Sequence, residues 1–180
     1  MQYHPSVQLR QTNHIPKIGA LMQLIVGVAD LKVSNRLEDV LVTHALGSCI
    51  GVAVFDPVAK VGGLLHFMLP DSSLDPPKAK ENPFMFADTG IPRLFRECYA
   101  LGAQKPRMKV KLAGGSQVLG GEEHFQIGRR NYAAVRKIFL KNNVLIDKED
   151  IGGMRARTMF LEMATGRVWV KTIGQDNLEL

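Results

Sequence analysis

Cysteine is scarce in this sequence, with only Cys49 and Cys98 in 180 residues. Two thiols do not make a disulfide framework, and these lack the paired spacing of a zinc ribbon or a redox motif. Aromatic residues make up 7%, with a single tryptophan, and they are not interleaved with basic residues as in a nucleic-acid platform. Nucleic acid is therefore not an expected partner. No hydrophobic run approaches the roughly 18 to 20 residues that a membrane span requires. The longest, Leu21 to Ala29, is interrupted by Gln23 and reads as a buried strand. Only Arg10 and Lys17 precede it, without a small-residue cleavage site, so the expectation is a cytoplasmic chain that is not embedded in a membrane.

What is present suits a globular protein: 46% hydrophobic and 22% charged residues can build the core of a single domain. The net charge of +6 is uneven, because residues 103–171 hold 14 Lys or Arg against 6 acids while the rest of the chain holds 9 against 11. The basic C-terminal half fits a solvated surface or an acidic protein partner.

Residues 1–20 mix His, Pro, Gln and Asn without periodicity and read as a flexible arm. Apolar runs at Leu21 to Val28, Asp39 to Leu46, Ile50 to Phe55 and Val61 to Leu69 predict four strands. Asp71 to Pro83 reads as a proline-marked loop. A helix follows, with Ile91, Leu94, Phe95, Cys98 and Leu101 on one face, Asp88 or Thr89 as cap and Gly102 as stop. Met108 to Ala113 predicts a strand, Gly114, Gly115, Gly120 and Gly121 a glycine-rich loop, and Asn131 to Asn142 a helix. Val144 to Ile146, Thr158 to Met163 and Arg167 to Lys171 complete the strands, with residues 176–180 as a tail. Strands cluster before each helix rather than alternating with it, so the fold class is α+β.

The segment with chemical content is Thr43-His44-Ala45-Leu46-Gly47-Ser48-Cys49 and the hairpin after it, which ends at His66. Asp56-Pro57 suits a type I turn. A two-residue loop centred on Pro57 and Val58 would set Cys49 directly across from His66 on one face, with Cβ atoms about 4.5 to 5.5 Å apart. A one-residue slip would separate them, and type I is not the favoured two-residue hairpin turn. In contact, His66 would take the thiol proton, and a thiolate–imidazolium couple would lower the Cys49 pKa. Thr43 is a candidate to orient the imidazole, provided Gly47 and Ser48 bend the chain back. The same bend would let backbone N–H groups face a substrate carbonyl.

Plainer readings stand beside this one. Cys49 and His66 fit a strand-rich core as structural residues, and Cys98 lies on the apolar face of its helix. His44 is a rival base, although in an extended chain it points away from Thr43. The glycine-rich loop lacks a phosphate-binding ending, and Glu122, Glu123 and His124 are adjacent residues that seldom converge on one metal. No cofactor and no metal is expected.

These residues resemble the chemoreceptor glutamine deamidases of bacterial chemotaxis, the CheD family, over about residues 25–171. The likeness rests on Leu46-Gly47-Ser48-Cys49, Asp56-Pro57, Gly62-Gly63, His66 before Met68-Leu69-Pro70, and Ala87-Asp88-Thr89. It continues in Gly114-Gly115, Ile127-Gly128-Arg129-Arg130-Asn131, Asp150-Ile151-Gly152-Gly153 and Arg157-Thr158. The resemblance implies a β-sandwich-like core flanked by helices, a domain over 21–175, and a Cys49-His66-Thr43 site. It also implies a hydrolase that converts glutamines of methyl-accepting chemotaxis receptors to glutamate through a Cys49 thioester, with His66 as acid. Some members act on glutamyl methyl esters, and some bind the phosphatase CheC. Phe86 stands where the family often has tyrosine. The alternatives are a noncatalytic chemotaxis adaptor that binds a receptor or a CheC-type phosphatase, and a cysteine hydrolase for small amides or esters.

Overall fold

Strand periodicity of two, broken by turns, builds ten strands among the described residues, and two long helices cover one side. The structure is a computed structural model that describes residues 22–117 and 122–180, and of 122–126 the main chain alone. The arm expected over 1–20 lies outside the described residues. Strands β1 (Met22–Val26), β3 (Asp39–Leu46), β8 (Arg157–Glu162), β9 (Val168–Thr172) and β10 (Leu178–Glu179) form one sheet in the order β1-β3-β8-β9-β10. Strands β2 (Asp30–Ser34), β5 (Val61–Phe67), β4 (Ile50–Asp56), β6 (Lys109–Gly114) and β7 (Lys148–Ile151) form the second, in that order. The fold class is α+β, as expected from the strand-rich pattern.

Two apolar layers hold these sheets. Between them lie Leu41, Leu46, Ala53, Leu64, Met159 and Leu161; on the far side of the second sheet, Ile50, Val52, Leu65 and Phe67 meet α2 (Ala87–Ala100) and α3 (Glu122–Lys141). β4 and β5 are consequently buried on both faces, which is why they read as continuous apolar runs. Each fully buried Leu, Ile or Phe contributes roughly 1.5 to 3 kcal/mol. β8, in contrast, alternates buried and half-buried residues, because its outer face is open. There Phe160 and Trp169 stack with centroids 4.9 Å apart, and Arg167 lies over the Trp169 ring.

Several expectations are corrected. Asp30–Ser34 is a strand that the sequence reading missed, and the loop after Asp71 contains α1 (Pro76–Glu81), capped by the Asp75 side chain on Lys78 N–H. Val144 to Ile146 is not a strand, and the pairing falls instead on Lys148–Ile151. α2 starts at Ala87 without a side-chain cap; Asp88 instead accepts from Ser72, and Thr89 Oγ1 donates to Pro83 O. Residues 176–180 are not a tail. Leu178–Glu179 pairs with the edge of β9, and Leu180 is buried among the inter-sheet residues, since an apolar C-terminus gains more from that layer than from water.

Candidate functional site

The hairpin that presents the site has a longer loop than expected. β4 and β5 pair with Gly51 opposite His66 and Asp56 opposite Val61, leaving Pro57 to Lys60 as a four-residue loop. The cause is Asp56: its Oδ1 accepts from both Val58 and Ala59 N–H, and Arg107 and Gln104 N–H hold the same carboxylate. Lys60 closes the turn at φ +54°. Cys49 is therefore not directly across from His66. The displacement is by an even number of residues, so Cys49 and Gly51 remain on the face that carries His66.

His66 is fully buried and points into the layer between the sheets. Its Nδ1 lies 2.7 Å from Thr43 Oγ1, and Thr43 is also fully buried, on β3 of the facing sheet. Thr43 is brought over because the chain leaves one sheet and enters the other between Leu46 and Ile50. The bend begins earlier than Gly47: the β3 register breaks after Thr43, and Ala45 sits at φ +56°. His66 Nε2 is buried and has no hydrogen-bond partner among the described residues.

Burial drives the His66 pKa down to about 4, so the ring is neutral at pH 7. Burial likewise pushes the Cys49 thiol up, against a smaller lowering by its own backbone N–H. These shifts run against the lowering of the Cys49 pKa that contact with His66 would bring. Both groups are desolvated, and desolvation disfavours either charge.

Three successive carbonyls of the bend are engaged. Gly47 O accepts from Ser116 N–H at 2.7 Å, Ser48 O from Asn131 Nδ2 at 2.9 Å, and Cys49 O from Gly115 N–H at 2.9 Å. Gly114 has φ +116°, and a Cβ there would lie 2.2 Å from Cys49 O, so only glycine permits this approach. Behind it, Arg157 holds Asp150, Ser116 Oγ and Gly152 O.

The remaining candidates fall elsewhere. His44 is exposed on the outer face, 3.4 Å from Thr158 Oγ1, beside a groove of about 450 Å³ that Phe160 and Lys171 also line. It does not face His66. Cys98 is buried against the helix layer, and burial pushes its thiol up to about 12. Gly120, Gly121 and the side chains of Glu122, Glu123 and His124 lie outside the described residues. Among the described residues no cluster of His, Cys, Asp and Glu could hold a metal, and no helix is long and apolar enough to cross a membrane. Asn131 and Ser116 were missed as site residues. A signal existed for Asn131: it shares a helix face with Val135 and Phe139, where an amide is out of place unless it has partners.

The family model described as CheD chemotactic sensory transduction matches residues 68–172. A "Probable chemoreceptor glutamine deamidase CheD 1" of Syntrophus aciditrophicus is 58% identical over 157 residues, 87% of this chain and 98% of that protein. Proteins named "Probable chemoreceptor glutamine deamidase CheD" from Solibacter usitatus and Clostridium botulinum are 48% and 38% identical. They cover 86% and 89% of this chain, and 91% and 99% of their own lengths. With this identity along nearly the whole of each relative, the chain belongs to the CheD family.

Proposed function

We propose that this chain is a cytoplasmic protein-glutamine deamidase that converts glutamines of methyl-accepting chemotaxis receptors to glutamate, with Cys49 as nucleophile, His66 as base and Thr43 as orienter. The observation that carries the reading is the Thr43–His66 contact, which engages Nδ1 and leaves the buried Nε2 without a partner among the described residues, on the face shared with Cys49. With Nδ1–H donating to Thr43 Oγ1, the lone pair sits on Nε2.

Cys49 Sγ attacks the carboxamide carbon as His66 Nε2 takes the thiol proton. The carbonyl electrons move to oxygen, where backbone N–H groups of the bend receive the oxyanion. His66 then passes its proton to the departing nitrogen, ammonia leaves, and a thioester remains on Cys49. Water attacks the thioester, giving a proton to Nε2, and the released thiolate recovers that proton as glutamate forms. Burial keeps the ring unprotonated, so the Nε2 lone pair is free to receive the thiol proton, but it also makes the ring a weaker base. The family match and the names of the relatives support the substrate class. A CheC-type phosphatase is the further partner this reading takes from the family.

Incubation with the cytoplasmic part of a chemoreceptor, followed by peptide mass analysis, tests the reading. Each converted glutamine adds about one dalton. Receptor binding without any mass change would establish the adaptor instead, and efficient turnover of free glutamine would establish a small-amide hydrolase.

A further inference from the structure

We infer that Asn131 is a positioning residue for the oxyanion donor: by holding Ser48 O and Met68 O, its side-chain amide fixes the direction of the Cys49 backbone N–H. The inference rests on the deamidase reading above and deepens it.

Asn131 is fully buried on α3, and its single NH2 group makes two bonds, to Ser48 O at 2.9 Å and to Met68 O at 2.8 Å. Those carbonyls lie on different strands' ends. Ser48 immediately precedes Cys49, and Met68 follows His66 by two residues, just beyond the last paired residues of the β4–β5 hairpin. One amide therefore joins the nucleophile's segment to the base's segment where the ladder has stopped. Its Oδ1 is buried without a partner among the described residues. A buried orphan acceptor is unfavourable, and the obvious relief, flipping the amide, would set Oδ1 against two carbonyl oxygens. The two donated bonds thus decide the orientation.

The consequence for Cys49 follows from peptide geometry. Ser48 O and Cys49 N–H belong to one trans peptide unit, so they point in opposite directions. α3 lies on the outer side of the second sheet, with Val135 and Phe139 packed beside Ile50 and Val52. Cys49 packs on the other side, among the inter-sheet residues. Drawing Ser48 O toward α3 turns Cys49 N–H toward the layer that holds His66. That N–H has no other main-chain acceptor among the described residues and meets only its own thiol. It is available for an oxyanion.

The spacing of Gly128 and Asn131 explains how the amide reaches so far. They stand one helical turn apart on the same face. A Cβ on Gly128 would lie 2.7 Å from Gly115 O, so glycine lets α3 sit directly on the residue that also binds Cys49 O. Asn131 then overlies the next carbonyl of the bend.

The test compares wild type, Asn131→Ala and Asn131→Asp by deamidation of a receptor fragment and by iodoacetamide alkylation of Cys49. Alkylation needs the thiol and its base but develops no oxyanion. The expected result is a fall in kcat of about 10- to 100-fold with KM within about twofold. The Cys49 alkylation rate and its pH profile should stay within about twofold of wild type, which also shows that each variant is folded. Equal kcat in wild type and a folded variant would overturn the inference, as would loss of alkylation in step with kcat in both variants, since that marks a general structural role. A wild type that converts no glutamine would overturn the deamidase reading and the assignment with it.

Discussion

Thr43 and His66 belong to different sheets, and their side chains meet at 2.7 Å across the interior. Orientation of the His66 ring therefore depends on sheet packing rather than on a local turn. The two sheets have to close at the correct separation before His66 presents Nε2 toward the face of Cys49.

Replacing Thr43 by valine keeps the shape and removes the oxygen. Nδ1 then loses its partner in a dry interior, at a cost of about 1 to 3 kcal/mol of stability. Deamidation should fall roughly 10- to 100-fold, because the tautomer and ring orientation are no longer fixed. Thr43→Ser, which retains the hydroxyl, should recover most of the rate. Chemical denaturation and steady-state kinetics on the two variants read both effects.

Cys49 should behave as a buried thiol in the resting protein. Burial raises its pKa, so alkylation by iodoacetamide at pH 7 should be slower than for a free cysteine peptide and should climb as pH rises. Cys98, pushed up to about 12, should be modified only after denaturation. Fast, pH-independent alkylation of Cys49 near pH 6 would show a preformed thiolate.

His66 also makes stability depend on pH. Its pKa is about 4 in the folded chain against an ordinary 6.5, so between these values the unfolded chain binds a proton that the folded chain refuses. This contribution to stability is full above pH 6.5 and is lost as pH falls toward 4. The loss is on the order of 3 kcal/mol. Denaturation midpoints at pH 7 and pH 4.5 should therefore differ more in the wild type than in His66→Gln.

Much of this site was legible in the sequence, and the reasons it was not fully so are physical. Alternation put Cys49 and His66 on one face, and that parity survived an error in register. The register itself hinged on Asp56, whose carboxylate grips two loop N–H groups and reaches Arg107, a contact with a residue distant in sequence. Asp30–Ser34 went unseen because it is short and carries two charges, yet it pairs along β5 as an edge neighbour. The hold on the bend by Gly115, Ser116 and Asn131 is tertiary throughout, and only the amide on an apolar helix face announced any of it.

The support behind the bend should be sensitive too. Arg157 is nearly buried and grips Asp150 while also donating to Ser116 Oγ. Asp150→Ala leaves that guanidinium without its counter-charge and should cost about 3 to 5 kcal/mol. Because Ser116 N–H holds Gly47 O, activity should drop further than the fraction unfolded explains. Comparing specific activity with the folded fraction by circular dichroism checks this.

The central claim is that Cys49 carries the acyl chemistry, and it is tested most directly by the rate of glutamine-to-glutamate conversion in Cys49→Ala beside Cys98→Ala. Both should be made as folded protein and assayed on the same receptor fragment. The account requires conversion to vanish in Cys49→Ala and to remain within a fewfold of wild type in Cys98→Ala. Undiminished conversion by folded Cys49→Ala would contradict it.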